Sequence, residues 1–147
     1  MQSYNEVALP KDEARPLRKR VLLADDEAQL RLLIKAFLTA AEIEVVEAND
    51  GVEALETISG GAAAFDLLIT DIRMPRMDGI ELARRVSAAL PRLPVLFISG
   101  FAPAPLYPMQ GSAAAWEFLA KPFTREKLVE RVSRLLASST RTQTASS

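Results

Sequence analysis

Short runs of apolar residues alternate along this chain with longer stretches whose apolar positions recur every three or four residues. Val21-Leu22-Leu23-Ala24 is the first run, and it ends in acids. Leu30, Leu33, Ile34, Phe37, Leu38 and Ala41 follow at helical spacing and define one face of an amphipathic helix. Ile43 to Val46 predicts a second strand, and Asn49 or Asp50 can cap a helix that carries Val52, Leu55 and Ile58. Phe65 to Thr70 predicts a third strand, followed by a helix from Gly79 to about Leu90 with Ile80, Ala83, Val86 and Leu90 inward. Pro94 to Ile98 and Ala115 to Leu119 predict two more strands. A last helix starts near Thr124 and buries Leu128, Val129, Val132, Leu135 and Leu136.

Strands that alternate with helices in this way imply an α/β protein, with an open parallel sheet covered on both faces. Met1 to Leu17 and Ser138 to Ser147 break the rhythm. The first mixes prolines and charges, the second is rich in serine and threonine, and both are expected to be disordered tails around a core from Arg18 to Ala137. In sheets of this kind the functional site lies beyond the carboxyl ends of the strands, where the strand order reverses.

Composition narrows the chemistry. The chain has 147 residues, the length of one ordinary domain, with 49% hydrophobic and 25% charged residues. A formal net charge of −1 points to neither a nucleic-acid nor a membrane partner. No apolar run approaches the ~20 residues that span a bilayer, and Met1 to Leu17 lacks a signal core, so a cytoplasmic location is expected. The chain contains no cysteine and no histidine. It cannot form a disulfide or a zinc-thiolate site, and it cannot carry a phosphohistidine or a histidine-based triad. Histidine chemistry has to come from a partner.

The residues just after the predicted strands are Asp25-Asp26, Asp71, Ser99 and Lys121. Three carboxylates, a hydroxyl and an ammonium would converge on one sheet edge. Carboxylates within ~4 Å repel by about 4 kcal/mol per pair at an effective dielectric of 20, so they need a cation between them. All-oxygen ligands suit Mg²⁺. Phosphoryl transfer needs mainly positioning and charge neutralisation, which a metal and Lys121 would supply, while an aspartate serves as nucleophile.

At these positions the chain resembles the receiver domain of two-component response regulators, over roughly Arg18 to Ala137. Leu23-Ala24-Asp25-Asp26-Glu27 is similar to the family's acidic strand end. Asp71-Ile72-Arg73-Met74-Pro75-Arg76-Met77-Asp78-Gly79 is similar to its phosphoacceptor loop, Ser99-Gly100 to its switch hydroxyl and Lys121-Pro122-Phe123 to its lysine motif. The resemblance implies a doubly wound, flavodoxin-like (βα)5 fold with strand order 2-1-3-4-5. It implies that Asp71 accepts a phosphoryl group from a histidine kinase or a histidine phosphotransfer protein. Mg²⁺ would be held by Asp25, Asp26, Asp71 and the Arg73 backbone carbonyl. Ser99 and Lys121 would bind the phosphoryl oxygens, Phe118 would stand at the aromatic switch position, and the Lys121–Pro122 peptide would be cis. The Arg73 side chain lies at the mouth of such a site, where it would tune the lifetime of the phosphoryl group.

Two features depart from the family pattern. Pro103, Pro105 and Pro108 make a regular fourth helix between Ser99 and Lys121 unfavourable, so Phe101 to Gly111 is expected to be short-turned or irregular and easily remodelled on phosphorylation. Trp116 alternates with Glu117, so Trp116 and Phe118 should share a side. Exposed, Trp116 would suit a partner contact or a phosphorylation-dependent dimer; the favoured expectation is that it packs beneath the proline-rich loop. Other functions fit less well. An aspartate-nucleophile phosphatase needs an acid where Arg73 stands, and a nucleotide-binding enzyme needs a glycine-rich loop after the first strand. A phosphorylation-independent binding module would be expected to have lost an acid or the lysine. The expectation is therefore a signalling switch, not an enzyme acting on a separate substrate, either standing alone or as a receiver within a larger regulator or hybrid kinase.

Overall fold

The computed structural model of the chain describes residues 18–60, 64–100 and 114–146, and side chains as far as residue 138. The elements are β1 (Arg20–Ala24), α1 (Ala28–Ala40), β2 (Glu44–Ala48), α2 (Gly51–Ser59), β3 (Leu67–Asp71), α3 (Gly79–Ala89), β4 (Val95–Ser99), β5 (Trp116–Ala120) and α4 (Arg125–Ser146). The strands form one 5-stranded sheet in the order β2-β1-β3-β4-β5, and every pairing is parallel. This is the doubly wound, flavodoxin-like arrangement that the sequence implied.

Strand alternation divides the core in two. Val21, Leu23, Leu67, Ile69, Leu96 and Ile98 point to the face covered by α1 and α4, where they meet Ile34, Leu38, Leu128 and Val132. Leu22, Ala24, Leu68, Val95 and Phe97 point to the other face, against Ala54 of α2 and Leu82, Ala83 and Val86 of α3. A strand buried on both faces needs a continuous apolar run, and for that reason the central strands lack a polar alternation.

Several boundaries differ from the sequence expectation. The third, fourth and fifth strands each end one residue later, so Asp71 and Ser99 are the last residues of their strands. Ile43 precedes β2 and serves instead to end α1, donating its N–H to the Leu38 carbonyl at 3.0 Å while Glu42 takes a φ of 65°. On α1 the buried stripe is narrower than predicted. Ile34 and Leu38 are buried, but Leu33 is 47% exposed and Ala41 is also exposed, because a helix laid on one sheet face covers only the residues directly beneath it. Leu90 is likewise exposed, and Leu82 takes the buried place that the pattern missed.

α4 continues through Ser138 to Ser146, where a disordered tail was expected. Nothing after Arg125 interrupts the backbone hydrogen bonds, since that stretch contains no glycine or proline. The expected N-terminal tail and the irregular Phe101 to Gly111 segment lie outside the described residues. Trp116 and Phe118 do share a side, both packed on the core face of α2 and α3, and the Trp116 ring meets Phe97 edge-on with centroids 6.2 Å apart.

Candidate functional site

The strand order sets β1 beside β3, β3 beside β4 and β4 beside β5. Ala24 is level with Thr70, Asp71 with Ile98, and Ser99 with Ala120. The residues that end or follow these strands therefore meet at one edge. Two backbone bonds extend the ladder into the site: the Asp25 N–H donates to the Ala48 carbonyl at 3.2 Å, and the Lys121 N–H donates to the Ser99 carbonyl at 2.9 Å.

Carboxylate oxygens of Asp25, Asp26 and Asp71 lie within 4.8 Å of one another. Asp25 and Asp71 are buried and Asp26 is exposed. The Lys121 Nζ donates to Asp71 Oδ2 at 3.0 Å and to Glu27 Oε1 at 3.2 Å, and stands 3.7 Å from Asp25 Oδ2. The second Asp71 oxygen accepts a long bond, 3.3 Å, from the Arg73 N–H. Asp25 Oδ1 accepts from the Glu27 N–H at 2.8 Å, while its buried Oδ2 has no hydrogen-bond partner among the described residues.

Burial pushes the Asp25 carboxyl up to about 6; the Glu27 N–H and the Lys121 charge pull the other way, and the Asp71 charge adds to the rise. Burial also disfavours the Lys121 ammonium. The hydrogen bond to Asp71 and the negative charges of Asp25 and Asp71 outweigh it and hold Lys121 above the usual lysine range. A hard divalent cation would satisfy the orphaned Asp25 oxygen and the repulsion between the acids together. The donor set is all oxygen, which fits Mg²⁺.

The other predicted residues fall around this centre. Ser99 is buried at the end of β4, Phe118 is half-buried on β5, and Arg73 is exposed beside Asp71. The Lys121–Pro122 peptide is cis.

The loop that presents Asp71 is clamped at both ends. A side chain on Gly79 would overlap the Asp71 carbonyl, and the Gly79 N–H donates to the Ile72 carbonyl at 2.8 Å. A Cβ on Gly51 would come within 2.6 Å of the Met77 carbonyl, so the loop tip rests on the start of α2. Next to that contact Arg76, at φ 71°, makes a two-pronged ion pair with Asp50, 2.8 and 3.2 Å long. Arg76 holds the Asp50 carboxyl below the usual range, and Asp50 also caps α2 by accepting from the Glu53 N–H at 2.9 Å. Replacing Asp50 with alanine removes cap and latch together and should cost about 1–2 kcal/mol in urea unfolding. Arg76→Gly should cost less, because glycine accepts the positive φ without strain. The reverse ranking would contradict this account of the latch.

Sequence reasoning missed Glu27, Arg31, Thr70 and the Arg76–Asp50 pair. Arg31 donates to the Asp25 carbonyl at 2.6 Å and pairs with Glu47, and Thr70 Oγ1 donates to the Asp71 carbonyl at 2.8 Å. The only advance signal was for Glu27, which continues the acidic run Asp25-Asp26. Arg31 and Asp50 reach the site through folding alone.

Comparison with known proteins agrees with this geometry. A family model described as the response regulator receiver domain matches residues 21–133. The chain is 39% identical over 118 residues to the response regulator receiver protein CpdR of Brucella abortus, covering 80% of this chain and 97% of the relative. It is 35% identical over 114 residues to the C4-dicarboxylate transport transcriptional regulatory protein DctD of Rhizobium meliloti, but spans only 24% of that protein's length. A crystal structure of a response regulator receiver protein from Sinorhizobium medicae superposes with a TM-score of 0.74 at 35% identity, covering 83% of this chain and 97% of the other.

Proposed function

The chain belongs to the response regulator receiver family, and from that premise we propose that it is a signalling switch that takes a phosphoryl group onto Asp71 from a phosphohistidine partner. The observation that carries the proposal is the environment of the Asp71 carboxylate. One oxygen is bound to the Lys121 ammonium, the other accepts a long bond from the Arg73 N–H, and two further acids stand within 4.8 Å.

In the transfer, an Asp71 oxygen bonds to phosphorus as the phosphorus–nitrogen bond of the donor's phosphoimidazolium breaks; the ring keeps the electron pair and the proton on its other nitrogen, which leaves a neutral histidine on the partner. Lys121 neutralises charge on the phosphoryl oxygens, and the buried Ser99 hydroxyl at the end of β4 would donate to one of them. Mg²⁺, held by Asp25, Asp26, Asp71 and the Arg73 carbonyl, would neutralise the acids and the phosphoryl charge. Phe118 follows Ser99 as the switch aromatic on the neighbouring strand. A phosphatase acting on separate substrates is disfavoured, because exposed Arg73 stands where the general acid would be required.

The donor is a histidine kinase or a histidine phosphotransfer protein. Such chemistry belongs in the cytoplasm, and no helix among the described residues is long and apolar enough to cross a membrane. The short match to DctD supports a second context, in which the same domain is one part of a larger regulator.

Intact-protein mass after incubation with acetyl phosphate and Mg²⁺ tests the reading. One phosphoryl group should be added, and it should be absent in Asp71→Asn and without Mg²⁺. Unchanged mass in folded wild-type protein that forms no beryllofluoride complex either would refute it. The approach of a protein donor has its own requirement. Leu32 and Leu33, 66% and 47% exposed, lie in the first turns of α1, directly after the acids. Burying a leucine is worth about 1.5–3 kcal/mol. The double variant Leu32→Ser, Leu33→Ser should therefore slow transfer from a phosphorylated histidine kinase by about tenfold or more, with the acetyl phosphate reaction unchanged. Equal slowing of both reactions would place the leucines outside the docking face.

A further inference from the structure

The Lys121 ammonium has three N–H donors, and three carboxylates compete for them: Asp71 at 3.0 Å, Glu27 at 3.2 Å and Asp25 at 3.7 Å. Two of the donors are bonded, to Asp71 and Glu27, and the third faces Asp25 Oδ2 beyond hydrogen-bond distance, so the outward part of the ammonium is held by Glu27. We propose that Glu27 is a place-holder for the phosphoryl group: its carboxylate occupies the part of the Lys121 ammonium that a phosphoryl oxygen takes after transfer, so it restrains phosphorylation and is released by it. The proposal rests on the reading of Asp71 as phosphoacceptor, and it makes Glu27 a positioning residue that acts through Lys121.

Glu27 is the partner that can leave. The Asp25 side chain is fully buried and that of Asp71 is 8% exposed, whereas that of Glu27 is 63% exposed and can return to water at little cost. The Glu27 side chain is bonded to Lys121 and not to the N–H groups of its own helix. Glu27 is the N-cap residue of α1 and makes no capping hydrogen bond, and the first turn of α1 contains no acid. The N-caps of α2 and α3 behave in the ordinary way: Asp50 accepts from the Glu53 N–H and Asp78 from the Glu81 N–H. The Glu27 backbone is meanwhile tied to the site through its N–H bond to Asp25 Oδ1, 2.8 Å long.

Charge sets the direction of the effect. A phosphoryl group brings about −1.5 to −2 charges to an edge that already holds several acids. Asp25, Asp26 and Asp71 form the metal-ligating cluster, and Glu27 is not one of its members. Its negative charge therefore opposes the incoming group without serving the cation. Once displaced, the carboxylate is free to lie against the unsatisfied N–H groups at the start of α1, where a negative charge is favoured. Phosphorylation would then be felt at the first turn of α1, one turn before exposed Leu32 and Leu33.

Glu27→Gln keeps the side chain's shape and removes its charge. With acetyl phosphate and Mg²⁺, where acetate leaves as Asp71 takes the phosphoryl group, the variant should be phosphorylated about threefold faster or more. The gain should shrink in ~1 M salt, where such charges are screened within about 3 Å. With no phosphodonor present, the Lys121 amine should react about twofold faster with an amine-modifying reagent, read by peptide mass, because it has lost one acidic partner. Glu27→Ala should move both rates the same way, and the melting temperature of either variant should stay within a few degrees of wild type. A wild type phosphorylated as fast as Glu27→Gln overturns the place-holder alone, as does unchanged Lys121 reactivity. A wild type that takes up no phosphoryl group removes the Asp71 reading, and the place-holder with it.

Discussion

Gly79→Ala should lower the melting temperature by about 10 °C and displace Asp71 in whatever fraction folds. The new Cβ would overlap the Asp71 carbonyl oxygen, lie 2.9 Å from its carbon and come within 3.0 Å of the Ile72 Cα. All three atoms are backbone, so no side chain can rotate away to make room. Overpacking of this kind costs about 3 kcal/mol, and about 3–4 °C per kcal/mol is expected for a domain of this size. The contact is made by the residue proposed to carry the phosphoryl group, so the damage reaches function as well as stability: phosphoryl uptake per folded molecule should fall along with stability. Gly100→Ala is the built-in control. Among the described residues nothing lies within 4 Å of the Cβ it would add, so it should be neutral or slightly stabilising through the unfolded chain. Thermal melts of the two variants side by side decide the matter. Similar melting temperatures would mean that the loop is not wedged against the start of α3.

Mg²⁺ should have an effect of similar size in the opposite direction, with a pH dependence set by Asp25. In metal-free protein the folded-state pKa of Asp25 is raised to about 6, against about 3.9 for an aspartate in an unfolded chain. Between these values the folded protein binds more protons than the unfolded one. Metal-free stability therefore falls as pH rises from about 4 to about 6, by up to about 3 kcal/mol from this group. A cation binds only the ionised acids, so its contribution grows over the same interval. At ~100 times its dissociation constant Mg²⁺ should add about 2.7 kcal/mol near pH 7.5, a rise in melting temperature of about 10 °C, and much less at pH 5. Melts at the two pH values, with and without Mg²⁺, test this. An increment that is absent at pH 7.5 would refute the acidic cage, and one that is equal at both values would remove Asp25 from it. Asp25→Asn should flatten the metal-free slope.

Much of the site was legible because it is built from residues that sit where strands end. Asp25, Asp71, Ser99 and Lys121 each close or follow an apolar run, and a parallel sheet brings such positions to one edge whatever the lengths of its helices. The strand boundaries were off by one or two residues, which left these residues at the same edge. The α1 stripe was harder to place. Leu33 is as apolar as Ile34, and only the position of the sheet decides that one is buried and the other is left facing solvent.

The residues that tune the site were not legible. Arg76 and Asp50 are 26 positions apart, and Lys121 and Glu27 are 94 apart. Neither pair carries a local signal, since an ion pair is visible in sequence only when helical spacing brings its partners together. The same holds for Gly79, whose need to be glycine comes from the Asp71 carbonyl pressed against it.

From the sequence alone follow the α/β class, the absence of any histidine chemistry within the chain, and the order of acids, hydroxyl and lysine along the strand ends. These depend on periodicity and composition, which are properties of neighbours in the chain. Only the tertiary structure decided which oxygen of Asp71 the lysine binds, that an Asp25 oxygen is buried without a hydrogen bond among the described residues, and that Glu27 shares the ammonium. Those are matters of a few ångströms between residues distant in sequence, and they are settled only when the whole sheet packs.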